Sequence, residues 1–148
     1  MKYLKEAIKE AEIAAKLKEG GPFGAVIVDK IGNIVSSGHN EVLSTNDPTA
    51  HAEINAIRKA CSKLQTKDLT GYILYSTCEP CPMCLSAIIW SNIKTIYYGS
   101  NRKDAASIGF KDDDIYEFIK GKNQLLEKHE YENIECKKLF ENYDGEIY

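Results

Sequence analysis

Residues 72–98 read YILYSTCEPCPMCLSAIIWSNIKTIYY, and this stretch decides the class of the fold. Tyr72 to Ser76 is short and rich in aromatic and apolar residues, as a strand is, and Ile93 to Tyr98 repeats the character. Between them, Leu85, Ala87, Ile88, Ile89 and Trp90 predict a buried helix with Trp90 as a core anchor. Pro82 fits the first turn of that helix, where no intrahelical donor is needed. A strand, a helix and a second strand in this order imply parallel pairing, and hence an α/β protein.

Working outward, Leu4, Ala7, Ile8, Ala11, Ala14, Ala15 and Leu17 recur at helical spacing between Lys2 and Lys18, and Gly20-Gly21-Pro22 ends the run. Phe23 to Val28 and Ile34 to Ser37 predict a hairpin around the turn residues Lys30 to Asn33. Asn40 to Ala50 reads as a loop, and the next helical pattern carries Ile54, Ile57, Arg58 and Cys61, which puts His51 and Glu53 in its first turn. Towards the C-terminus the expectation is a polar loop from Asn101 to Asp114, a short helix from Ile115 to Ile119, an extended piece from Gln124 to Glu130 and a last helix from Asn133 to Tyr143. The expected architecture is a three-layer α/β/α sandwich around a mixed sheet, formed as one domain over residues 1–148.

Composition narrows the function. Hydrophobic residues at 43% and charged residues at 28% are the mix of an ordinary globular chain. No apolar run is long enough to cross a bilayer, and the charged N-terminal helix does not resemble a signal peptide, so the expected setting is cytoplasmic. A net charge of −3 favours a small ligand over nucleic acid. Five cysteines, an odd number in such a chain, point to metal or nucleophilic chemistry rather than to a disulfide framework.

Two motifs carry that chemistry. Cys81 and Cys84 open one helix, where the positive helix end favours the thiolate form that binds metal. His51 opens another and supplies a third ligand of the type zinc accepts, which leaves the fourth tetrahedral position open for water. Residues two apart on a helix point to different sides, so His51 and Glu53 can share a site only if it faces the helix end. The expected arrangement is therefore two helix N-termini converging on one zinc ion, with Glu53 as the proton shuttle.

His51-Ala52-Glu53 followed by Pro80-Cys81-Pro82-Met83-Cys84 resembles the cytidine deaminase-like superfamily, whose signature is His-x-Glu and then Pro-Cys-x-x-Cys. The resemblance implies a cytidine deaminase-like fold, one zinc ion per subunit and hydrolytic deamination of a nucleobase. It is finer towards the purine-acting branch, in particular bacterial guanine deaminases, through residues 21–28, 46–53 and 78–84. Cys78, Pro82 and Trp90 are similar to that branch, whereas residues 46–53 are shared with tRNA adenosine deaminases. The run Asp104 to Tyr116 is similar to guanine deaminases too, and implies a substrate-contacting aspartate at Asp112, with Asp113 one step away.

In the same way the resemblance implies purine contacts from Asn40, from the Ala52 position beside the ligand, and from a C-terminal tyrosine, Tyr148. It further implies a C-terminal segment, about residues 110–148, that caps the site and is exchangeable between the subunits of a homodimer. Phe23 is a candidate stacking ring, although a core role is the commoner one for such a residue. Other plain readings stand beside these. Asn40 can close a turn, and Asp112 to Asp114 can serve simply as charges before a helix. Cys61 and Cys136 read as packing residues, Cys78 as a support of the metal loop, and His39 and His129 as having no metal role. Two other functions remain open at this level: a tRNA adenosine deaminase, which requires a basic groove, and a non-catalytic zinc module with Cys78 as fourth ligand.

Overall fold

The computed structural model describes residues 2–131 and 133–148; Met1 and Glu132 lie outside the described residues. All five residues of strand β1, Gly24–Val28, are buried. A strand covered on both faces loses the polar alternation of a half-exposed one. Accordingly β1 is interior in a four-stranded sheet of order β2-β1-β3-β4, where β2 is Ile34–His39, β3 is Ile73–Cys78 and β4 is Thr95–Ser100. It runs antiparallel to β2 and β3, while β3 and β4 are parallel, so the sheet is mixed as expected. The crossover between the parallel strands is a helix, Pro82–Trp90, within the stretch that decided the fold class.

Helix α1, Lys2–Leu17, covers one face, where Ala7 packs with Val26 and Val28. The short α2, Val42–Thr45, precedes α3, Ala52–Leu64, which covers the opposite face. Ala52, Ala56 and Ala60, spaced four apart on α3, meet Ala25, Ile27 and Leu74 of the sheet and Ile88 of the crossover helix, α4. Small residues on this stripe bring α3 close to the sheet. At Gly38 of β2 a Cβ atom would lie 2.6 Å from the Ala52 carbonyl oxygen, so the first turn of α3 seats on bare backbone there. That seating determines where His51 and Glu53 stand.

Several expectations change. Asn40 to Ala50 is not wholly loop, because it contains α2. Residues 101–114, expected as a polar loop, contain α5, Arg102–Ser107, because Asn101 and Asp104 form a reciprocal capping box at its start. Gln124 to Glu130 contributes no strand. Helix α6 is Asp113–Ile119 and α7 is Ile134–Glu141. Trp90 is not a core anchor: it is 69% exposed and Ile89 is 60% exposed, since only the Cys84 and Ile88 side of α4 is buried. No helix among the described residues is long and apolar enough to cross a membrane.

Candidate active site and metal centre

His51 and Cys81 are the N-cap residues of α3 and α4, both in extended backbone, and neither makes a side-chain capping hydrogen bond. Their side chains are thereby free to turn towards each other. His51 Nδ1 lies 3.6 Å from Cys81 Sγ and 3.5 Å from Cys84 Sγ. Zinc bonds of about 2.0–2.1 Å to nitrogen and about 2.3 Å to sulfur, at a tetrahedral angle, separate such donors by roughly 3.5 Å. The donor set thus fits zinc in spacing and in chemistry. Among the described residues, these three are the one His, Cys, Asp or Glu group close enough to hold an ion. Cys78 is not part of it; its thiol donates to the Asn101 carbonyl at 3.7 Å.

Electrostatics reinforce the geometry. The hydrogen bond from Cys84 is the largest influence on Cys81 and, with His51 beside it, brings that thiol down to about 4 against the cost of burial. Cys84 moves the other way, because the Cys81 thiolate, burial and Glu53 all oppose a second negative charge. His51 is shifted upward, chiefly by its contact with Cys81 and against burial. Cys81, Cys84 and Glu53 thus crowd three potential negative charges into a confined space, which a divalent cation would relieve.

Glu53, in the first turn of α3, is 6% exposed. Its Oε1 accepts from the Ser76 hydroxyl at 3.1 Å and its Oε2 from the Cys84 thiol at 3.4 Å. Burial pushes its carboxyl above the ordinary range, as suits a group that must carry a proton. The convergence of two helix starts on one point therefore brings His51, Glu53, Cys81 and Cys84 together, as the end-on arrangement requires.

A cavity of about 470 Å³ opens on this cluster, with His51, Glu53 and Cys81 among its lining residues. Asn40, 4% exposed, and Phe23 line it as well. The Asn40 side-chain oxygen accepts from the Val42 N–H at 3.1 Å, so it does close a turn, and its amide N–H groups stay available as donors. At Gly20 a Cβ would stand 2.0 Å from that Asn40 oxygen, so the wall depends on glycine there. Phe23 belongs partly to the core and partly to the wall, and it meets the Phe110 ring edge to face at 4.9 Å.

Asp112 also lines the cavity. It is the N-cap of α6, yet its carboxylate makes no capping hydrogen bond, and its Oδ1 is buried without a partner. Burial raises its carboxyl above the usual range. Two of the residues expected to contact substrate are not among those lining this cavity. Ala52 is fully buried at the first position of α3 and its side chain lines no part of the cavity; only its main chain is near the ligand cluster. Tyr148 is 79% exposed and its ring sits 6.3 Å from that of Trp90, whereas Phe110, Lys111, Asp112 and Ile115 line the cavity.

Residues 1–100 match the family described as the cytidine and deoxycytidylate deaminase zinc-binding region. The chain belongs to this family. Among its deaminase relatives is the guanine deaminase of Bacillus subtilis (strain 168), 51% identical over 117 residues, or 79% of this chain and 74% of that protein. A tRNA-specific adenosine deaminase of Aquifex aeolicus (strain VF5) is 47% identical over 98 residues, or 66% of this chain and 64% of that protein. The crystal structure of guanine deaminase from Bacillus subtilis superposes with a TM-score of 0.90 at 40% identity, covering 99% of this chain and 96% of that one.

For a member of the deaminase family, the cavity contains more than the motif residues. Ser76 on Glu53, and Phe110 and Ile115 on the wall, were not singled out from the sequence. Ser76 had one legible signal, a buried hydroxyl inside an apolar strand. Phe110 and Ile115 lie in the run similar to guanine deaminases but carried no role there, because their place depends on how α5 and α6 fold back over the metal loop.

Proposed function

We propose that this chain is a zinc-dependent hydrolase that converts guanine and water into xanthine and ammonia. The observation that carries the choice of base is Asp112: a carboxylate with a buried, unpartnered oxygen, among the residues that line the cavity with Glu53. A buried acceptor without a donor is costly, and the N1–H and amino group of guanine are two adjacent donors of matching geometry. Adenine presents an amino group beside an acceptor at N1, so it offers such a carboxylate one donor and one opposed lone pair.

Zinc held by His51, Cys81 and Cys84 would supply Lewis-acid activation of a water molecule. Glu53 takes one proton from the attacking water and passes it to the ring nitrogen next to the amino-bearing carbon; it then takes the second from the new hydroxyl on that carbon and delivers it to the amine, which leaves as ammonia as the carbonyl forms. Ser76 holds one Glu53 oxygen in place during these transfers. Asn40 offers donors to the purine, and Phe23 with Phe110 provides an apolar, partly water-excluding flank.

A free base fits better than an RNA loop. Lys111 is the one Lys or Arg among the residues lining the cavity, which is not the positive groove that an anticodon stem would need. A cytoplasmic setting is in keeping with five free cysteines among the described residues, and a homodimer with the exposed apolar residues Ile134, Leu139 and Phe140 of α7. The deciding experiment is ammonia release from guanine, adenine, cytosine, their nucleosides and a tRNA anticodon stem-loop. Turnover of guanine is expected. Release from the stem-loop and not from guanine would overturn the assignment.

A further inference from the structure

Segment 105–115 brings Asp112 and Phe110 to the cavity, yet it runs from the end of α5 into α6, neither of which has a buried residue. Something must fix its distance from the metal loop. Arg102, the first residue of α5, touches both sides of that gap. Its Nε is 3.3 Å from Glu79 Oε1, and its backbone N–H donates to Glu79 Oε2 at 3.3 Å. Glu79 is two residues before the ligand Cys81 and is itself fastened to the end of β4 by its N–H, which donates to the Ser100 carbonyl at 2.8 Å.

On the other side, Arg102 Nη1 is 3.1 Å from Asp113 Oδ1, and the guanidinium lies 4.2 Å from the centre of the Tyr116 ring. Tyr116 in turn donates its hydroxyl to the Pro80 carbonyl at 3.0 Å. The start of α6 is thus tied to Glu79-Pro80 through one guanidinium and one phenol. An arginine suits this task because a planar cation can stack on a ring with its face while its edges donate in separate directions; a lysine ammonium cannot. As isolated surface ion pairs these contacts would contribute little to stability. Their convergence on the residues flanking Asp112 and Cys81 gives them a different use.

We propose that Arg102 is a positioning residue that sets the Asp112 carboxylate at a fixed station relative to the metal-ligand loop, and thereby governs affinity for the purine. The proposal rests on the reading of Asp112 as a guanine contact. Arg102 acts through Asp112, not on the substrate. Its loss therefore weakens ground-state binding, while zinc and Glu53 are left in place.

Steady-state kinetics of Arg102→Gln are expected to show a KM for guanine about 10-fold higher, a kcat within about 3-fold and unchanged zinc content. Arg102→Lys is expected to recover less than half of the lost affinity. In an Asp112→Asn background, the Arg102→Gln effect on KM should fall to less than about 2-fold, because both changes remove one contact. A general structural role would instead multiply the two effects, and that outcome overturns the proposal. Hydrogen exchange of the 105–119 peptides supplies a readout without substrate: Arg102→Gln is expected to speed it, and exchange equal to the parent overturns the clamp. If the parent releases no ammonia from guanine, the substrate reading falls, while the exchange experiment still decides whether Arg102 holds the segment.

Discussion

Glu53 illustrates how one side chain is prepared by its neighbours. Ser76 directs one of its oxygens, and burial favours its protonated form. Glu53→Gln keeps size and hydrogen-bonding capacity but cannot carry a proton. Zinc content by elemental analysis is expected to be unchanged and kcat to fall by about 10³-fold, within the range of general acid–base contributions. Full activity with zinc retained would remove Glu53 from the mechanism. Asp112 makes a separable contribution: Asp112→Asn replaces an ionised acceptor by a neutral one. Since a hydrogen bond to a charged group is worth about 1.5–3 kcal/mol, the KM for guanine is expected to rise roughly 10- to 100-fold. An unchanged KM would show that the carboxylate does not meet the base.

At the level of elements, the site depends on how two helix starts are held against the sheet. Gly38 permits the first turn of α3 to sit on β2, and Gly38→Val would force a side chain into the Ala52 carbonyl. Thermal unfolding is expected to show a loss of about 1–3 kcal/mol, accompanied by lower zinc occupancy as His51 shifts. A second element-scale device joins α1 to β2: His39 bonds Glu10 through Nδ1 and Glu19 through Nε2, each at 2.8 Å. Burial opposes the imidazolium charge, but Glu10 and Glu19, with Glu41 nearby, outweigh it and raise the His39 pKa. A raised folded-state pKa stabilises fully below the unfolded value of about 6.5, and the gain is lost as pH rises through the folded value. His39→Gln is therefore expected to cost about 1 kcal/mol in slightly acid buffer, with the deficit shrinking on the alkaline side in a pH series of denaturation curves. A deficit that grows with pH would contradict the ion pairs.

For the whole molecule, a zinc ion bound by two helix N-termini couples α3 and α4 to the sheet, so metal binding should stabilise the fold. At free zinc 100 times the Kd this is worth about 2.7 kcal/mol. Removal of zinc by a chelator is expected to lower Tm by about 5–10 °C in differential scanning calorimetry, with recovery on adding zinc back. No change in Tm would mean that the three ligands do not hold an ion in the folded chain.

The sequence alone determined the parts whose signals are local. Hydrophobic period and punctuation placed α1, β1 to β3 and α3 close to where they stand, and His51-x-Glu53 with Cys81-x-x-Cys84 located the metal donors. Fixed ligand spacing survives small errors in element boundaries, which is why the chemistry was readable before the fold. Tertiary structure decided the remainder. Trp90 faces outward because burial on a helix depends on which side meets the sheet, and apolar content does not reveal that. Tyr148 lies by Trp90 and does not line the cavity, since a tail with few contacts has no local signal for its destination. Asp112 is distinguished from Asp113 and Asp114 only by three-dimensional packing: Arg102 binds Asp113, and an oxygen of Asp112 is left buried at the cavity wall without a donor. Three identical residues in a row carry one chemistry, and only the turn that opens α6 gives them different surroundings.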